Sequence, residues 1–262
     1  MQQGSRVNHL CKIVVTFAVE SEFTAWRRMA PFEPAGRNGI PIYRMRSGST
    51  DIYAVITGIG TRWVGSELRE LLAGPAGFCI ASGLAGGLKT QYLPGTVLVA
   101  KAVKGNGTRH EIRSNDFLVD AAQLCGAAAV DFFFTSQIVL NTPAEKSRLG
   151  QIADAVEMES FNVLCQANES GVPAVTVRAI SDTVQTHMPM DFNRIIDTRG
   201  QIGWVPALRE IAKAPQRIPQ LIRFGLESSR ASQHLARFLD RYTKLLSGSW
   251  DSRLTTAAGE SI

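Results

Sequence analysis

Three short stretches of this chain place carboxylic acids where they could do chemistry. Val177-Arg178-Ala179-Ile180-Ser181-Asp182 ends an apolar run with an aspartate. A carboxyl at a partly buried strand end can hold a proton and deliver it to a leaving group. The same residue could equally cap a helix beginning after Thr183. Upstream, Val156-Glu157-Met158-Glu159-Ser160 sets two carboxylates where an apolar strand gives way to a helix. Helix-dipole stabilisation accounts for Glu157 as a cap, with Met158 as core filler. A carboxylate is also suited to accepting from two adjacent hydroxyls, and Glu159 could so grip the 2′,3′-diol of a ribose. Glu22 follows the first apolar run, where most such glutamates are exposed first-turn helix residues.

The elements that must position these groups can be read from hydrophobic patterning. Lys12–Val19, Asp51–Thr57, Gly77–Ser82, Thr96–Val103, Phe132–Leu140, Val156–Met158 and Ala174–Ser181 read as strands. Most are apolar throughout, as strands covered on both faces are. Ser21 is expected to cap a helix running to about Ala30, which Pro31-Phe32-Glu33-Pro34 stops. Further helices are expected over Thr61–Ala73, Pro143–Ile152 and Ser160–Glu169, with Gly83-Leu84-Ala85-Gly86-Gly87 as a glycine-rich turn. Strands alternating with helices predict an α/β three-layer sandwich around a central mixed, mostly parallel sheet, with helices added at the C-terminus. Residues 1–262 read as a single domain, with a polar N-terminal extension over 1–11 and a helical C-terminal extension over 190–262. In such sheets ligands bind outside the carboxyl ends of strands. Glu20, Glu22, Gly58, Gly60, Gly83 to Gly87 and Asp182 all fall there.

Composition removes several classes of function. Of 262 residues, 45% are hydrophobic and 19% charged, which suits a globular domain with a substantial core. Net charge is +5, too little to point to nucleic acid as a partner. Cys11, Cys79, Cys125 and Cys165 are scattered, with no Cys-x-x-Cys pair, so reduced thiols in a cytoplasm are expected. Neither they nor the four histidines show metal-ligand spacing, and no metal or organic cofactor is expected. The run Leu10–Val19 is interrupted by Lys12 and followed by Glu20 and Glu22, unlike a signal segment. No apolar run reaches the ~20 residues that span a bilayer. The glycine cluster is not a dinucleotide fingerprint, and no Walker A motif is present.

Taken together, Ile13–Phe23 (IVVTFAVESEF), Thr57-Gly58-Ile59-Gly60, Ala81–Leu88 (ASGLAGGL), Ala155–Ser160 (AVEMES) and Val177–Asp182 (VRAISD) resemble the nucleoside phosphorylase superfamily. Within it they are most similar to methylthioadenosine/S-adenosylhomocysteine nucleosidases. The resemblance implies a purine nucleoside as small-molecule partner, hydrolysis of its N-glycosidic bond, release of adenine, and a homodimer. It further implies that Asp182 protonates the purine at N7 and that Glu22 activates the attacking water. Met158 would pack on the ribose and Glu159 take its hydroxyls, with Gly83, Leu84, Gly86, Val139, Leu140 and Ser181 completing the substrate site.

Some residues depart from that pattern. Leu84 stands where nucleosidases usually carry a serine, and Val139 where an aromatic stacks on the purine. The phosphate-holding arginine of the phosphorylases is matched by Ala81, which leans toward water as nucleophile, although Arg44, Arg46 and Arg62 leave phosphate open. Met190–Tyr242 resembles the C-terminal region of hopanoid-associated phosphorylases, which act on a lipid-linked adenosine. In that tail Ala231, Leu235, Phe238, Tyr242 and Leu245 recur on one helical face and Arg223, Arg230, Arg237, Arg241 and Lys244 on another. Such a helix either packs on the domain with its basic side solvated, or rests on anionic lipid as a peripheral membrane contact at the inner face of the membrane. A catalytically silent nucleoside-binding or lipid-surface protein is the alternative outside enzymology.

Overall fold

The computed structural model describes residues 11–36, 40–60, 65–74, 76–105, 107, 110–197 and 200–259. Its strands are β1 (Lys12–Phe17), β2 (Glu33–Pro34), β3 (Ile42–Ser47), β4 (Thr50–Ile56), β5 (Ala76–Gly87), β6 (Val97–Gly105), β7 (Glu111–Arg113), β8 (Ala128–Thr135), β9 (Ala155–Glu157) and β10 (Ala174–Asp182). The α-helices are α1 (Glu20–Met29), α2 (Gly65–Leu72), α3 (Asp116–Leu124), α4 (Pro143–Leu149), α5 (Ser160–Glu169), α6 (Trp204–Lys213) and α7 (Ile218–Gly259).

All the strands join one mixed sheet in the order β10-β6-β8-β9-β5-β1-β4-β3-β2, with β7 on β6. β10 also pairs in parallel with β5, which closes β5, β10, β6, β8 and β9 into a ring. β1, β5 and β10 run side by side in parallel, and their carboxyl ends emerge together. The expected mixed α/β sheet with C-terminal helices is what the chain forms. Every residue of β10 is buried, because α5 and α7 both pack against it.

Several local expectations are corrected. The glycine-rich turn is strand: Gly83 pairs with Arg178, Leu84 with Ala179 and Ala85 with Ile180, then Gly86 and Gly87 cross to β9. Missing side chains let three strands crowd there, so the glycines serve sheet closure. The cap of α1 is not Ser21. Val19 occupies the N-cap, and the Glu22 carboxylate turns back to accept from the amides of Ala18 and Val19. The strand expected over Phe132–Leu140 starts earlier, at Ala128, and ends at Thr135. Beyond it Asn193 holds the Val139 backbone through both its amide atoms, so residues 136–140 form a loop tied to the tail. The extension over 1–10 and the start of the helix expected from Thr61 lie outside the described residues.

The tail helix packs on the domain. Ala231, Leu235, Phe238 and Tyr242 are buried, and the Tyr242 hydroxyl donates to the Leu118 carbonyl at 2.7 Å. Leu245 does not belong to that face; it is 37% exposed and Leu246 is buried instead. A 3.6-residue repeat lets adjacent positions trade places as a long helix drifts around its contact line. Arg223, Arg230, Arg237, Arg241 and Lys244 are exposed.

Candidate active site

β1, β5, β9 and β10 deliver their ends to one cavity of about 310 Å³. Its charged lining is Glu22, Glu157, Glu159, Asp182 and Lys146. The expected residues Leu84, Gly86, Val139, Leu140, Met158 and Ser181 line it as well. Gly83 stands behind this surface, against Glu22 and Arg178. Glu20 does not join the site; its carboxylate accepts from Tyr43 at 2.7 Å and from Arg27 at 3.1 Å.

Glu22 is held by the first turn of α1 and by β5. One carboxylate oxygen accepts from the amides of Ala18 (3.0 Å) and Val19 (3.4 Å), the other from the Leu84 amide (2.8 Å). Burial pushes this carboxyl up from its ordinary value, against the opposing pull of Arg178 and the three amides. A carboxylate so raised is a better acceptor for a proton from water.

Glu157 and Glu159 divide two tasks that sequence alone left mixed. Glu157 accepts from the amides of Glu159 (2.9 Å) and Ser160 (2.7 Å) and from the Thr135 hydroxyl, so it caps α5 and ties it to β8. Glu159 accepts from the Gly60 amide at 3.1 Å and lies 3.2 Å from Arg178. Its carboxyl is pushed up to about 7, chiefly by burial; Arg178 opposes the rise, and Glu157 and Glu22 add to it. The loop after β4 thus steadies this carboxylate at the cavity.

Asp182 ends β10 opposite Gly86. One carboxylate oxygen accepts from the Ser181 hydroxyl at 2.6 Å and the other contacts the Lys146 ammonium. Asp182 makes no cap: its partners are these side chains, and Thr183 is held instead by Thr186.

Two groups were not singled out from sequence. Arg178, fully buried, bonds Glu157, the Ser160 hydroxyl at 3.0 Å and the Leu84 carbonyl at 3.4 Å, beneath the three glutamates. A charged residue inside an otherwise apolar strand was the available signal. Lys146 gave none, since lysine on a short helix ordinarily faces water. The tail supplies Phe192 and Phe224, whose rings lie 5.6 Å apart at the cavity. These bring aromatic surface to a site where Val139 offers none.

Gly83 has φ +144, and a Cβ there would lie 2.5 Å from the Arg178 guanidinium and 3.0 Å from both Glu22 oxygens. Gly83→Ala is expected to lose about 1–3 kcal/mol from backbone strain and to displace Glu22. Unfolding midpoint and turnover should fall together; a variant equal to the parent in both would show that the cluster tolerates a methyl group.

This fold, and one segment of the sequence, are similar to those of known proteins. A family model described as Phosphorylase superfamily matches residues 127–202, which span β8 to the start of the tail and include Glu159 and Asp182. No curated protein matches the sequence. The Helicobacter pylori 5′-methylthioadenosine/S-adenosylhomocysteine nucleosidase, solved in complex with a pyrrolopyrimidine compound, is similar in structure with TM-score 0.68 at 17% identity. That alignment covers 89% of this chain and 98% of the other. Futalosine hydrolase of the same organism gives TM-score 0.68 at 18% identity, covering 89% and 97%. The Neisseria meningitidis nucleosidase in complex with methylthio-immucillin-A gives 0.67 at 18%, covering 89% and 98%. The resemblance read from the sequence is borne out as a likeness of fold and, over residues 127–202, as a match to the superfamily model.

Proposed function

We propose that this chain is an N-glycosidase that hydrolyses a 5′-substituted adenosine and releases adenine. The observation that carries the reading is the convergence of Glu22, Glu159 and Asp182, from three separate strand ends, on one cavity. Glycosidic cleavage passes through an oxocarbenium-like state. Asp182 gives a proton to the base as the bond to the sugar breaks. Glu159 anchors the sugar hydroxyls over Met158, and Glu22 takes a proton from the water that captures C1′.

Water rather than phosphate is supported by the cation inventory among the described residues. Lys146 is engaged by Asp182 and two carbonyls, and Arg178 lies under the glutamates. Arg44 is bound by both oxygens of Asp51, and Arg46 donates to the Gly48 carbonyl. Arg62 lies outside the described residues. An anion arriving among four cavity carboxylates meets no unpaired cation there.

The cavity lining that comes from beyond the sheet's strand ends, with Ile138, Met188, Phe192, Ile202 and Phe224, is largely apolar. It favours a second reading, in which the 5′ group is bulky and lipid-like, as in the hopanoid-associated enzymes that the tail resembles. Membrane contact, if this chain makes it, falls to the exposed basic side of α7, since Ala231, Leu235, Phe238 and Tyr242 are covered by protein. No helix among the described residues is long and apolar enough to cross a membrane. The reading keeps a single domain, a homodimer and a cytoplasmic location.

Adenine release should be measured from methylthioadenosine, S-adenosylhomocysteine, 5′-deoxyadenosine and adenosine, each with and without phosphate. Release independent of phosphate is expected, with the free sugar, still carrying its 5′ substituent, rather than the sugar 1-phosphate as the product. A strict phosphate requirement would replace hydrolysis by phosphorolysis. Binding without any release, extended to a long-chain 5′-alkyl adenosine, would favour a silent binding protein.

A further inference from the structure

Lys146 is the sole cation lining the cavity among the described residues, and its side chain is 2% exposed. Burying a lysine is unfavourable unless its charge is paired and its donors are used. Here all three are used: on an Asp182 oxygen, on the Thr183 carbonyl at 3.2 Å and on the Thr186 carbonyl at 3.1 Å. Lys146 reaches this position from α4, whose N-terminus is fixed by a capping box of Thr142 and Glu145. A Cβ on Gly86 would come within 3.1 Å of the same Asp182 oxygen, so the space around the pair is kept for it. The other charged groups lining the cavity are Glu22, Glu157 and Glu159, all of the opposite sign.

We propose that Lys146 is the positioning residue of the acid step, a fixed positive charge aimed at the carboxylate that Asp182 becomes when it gives up its proton. The inference rests on the nucleoside-cleaving reading above. In that step the Asp182 O–H bond breaks and N7–H forms, while the electrons of the C1′–N9 bond leave with the base. Water oxygen bonds to C1′ and its proton passes to Glu22; return of that proton through solvent to Asp182 closes the cycle. The negative charge left on Asp182 arises in a cavity already carrying the glutamates, where an oriented ammonium lowers the energy of the charge-separated state. The Ser181 hydroxyl on the other oxygen fixes the carboxyl orientation, so Lys146 and Ser181 hold the acid from two sides.

Two variants test this on the full chain with the best nucleoside substrate: Lys146→Met, which keeps volume and removes charge, and Lys146→Ala, assayed with and without added ethylamine. Both are expected to lose ~10²-fold in kcat, as removal of a charge-stabilising donor does, with KM within about threefold. Ethylamine should restore kcat of Lys146→Ala at least ~10-fold and leave Lys146→Met unchanged, an outcome that a purely structural role would not produce. Parental kcat in Lys146→Met, an effect confined to KM, or a folded Lys146→Ala that amine does not rescue would each overturn the proposal. Failure of the parent protein to release base from any nucleoside would overturn the functional reading and this one with it.

Discussion

Asp182→Asn should abolish base release while leaving nucleoside binding in place. The substitution keeps the shape of the side chain and its hydrogen bond with Ser181, but removes the proton that a carboxylic acid can give. General acids contribute ~10²–10⁴-fold, and the loss in kcat should lie in that range or beyond. Asparagine also brings an amide beside the Lys146 ammonium, where a carboxylate oxygen had been. Part of the loss will therefore be a shifted side chain, which binding measured by calorimetry separates from the chemical defect. Retained affinity with lost turnover is the expected pair. Undiminished turnover would remove Asp182 from the mechanism and return it to a structural role.

The second large effect is on stability. Arg178→Met should destabilise the protein by about 3–5 kcal/mol at neutral pH, because it leaves buried carboxylates without the cation that binds them. Glu157 and Glu159 pair with Arg178 directly, and Glu22 feels its charge. The loss should also depend on pH, with a sign that follows from the raised carboxyls. Burial raises Glu22, and raises Glu159 to about 7, above the ordinary carboxylate value of 4.5. The folded state therefore binds more protons than the unfolded one between those values, and stability falls as pH rises through about 7. Removing Arg178 removes the pull that opposes both shifts, so the deficit should be larger at about pH 8 than at about pH 5.5. Urea midpoints of parent and variant at the two pH values check this. A deficit that grows on acidification would mean that the cluster is not governed by carboxylate charge.

The contrast between these residues shows how far the chain can be read without its fold. Asp182, Glu159 and Glu22 were legible because each interrupts or ends an apolar run, where a carboxylate needs a reason to be. Strands β1, β4, β6 and β10, and the first half of β5, were legible for the same reason, being mostly apolar without alternation. β3 was not: it alternates buried and exposed residues near the sheet edge and is interrupted by two arginines. α3 was missed because its short apolar stretch offered no clear period. The Gly83–Gly87 segment misled, since glycine marks turns far more often than the crowded crossing of strands.

By itself the sequence determined an α/β chain whose strand ends carry acids, and the order in which those acids come. It also offered, as one reading, the local cap chemistry that Glu157 performs. Only the tertiary structure decided which acids share a cavity, which one faces away, and which cations stand behind them. Glu20 and Glu22 are two residues apart, yet one pairs with Tyr43 and the other with the Leu84 amide, 62 positions along the chain. Lys146 and Asp182 are 36 positions apart and meet because the Lys146 side chain reaches from α4 to the end of β10. The physical reason is range. Burial patterns and caps depend on near neighbours and so are written locally, whereas charge pairing depends on distance in space, which sheet closure alone supplies.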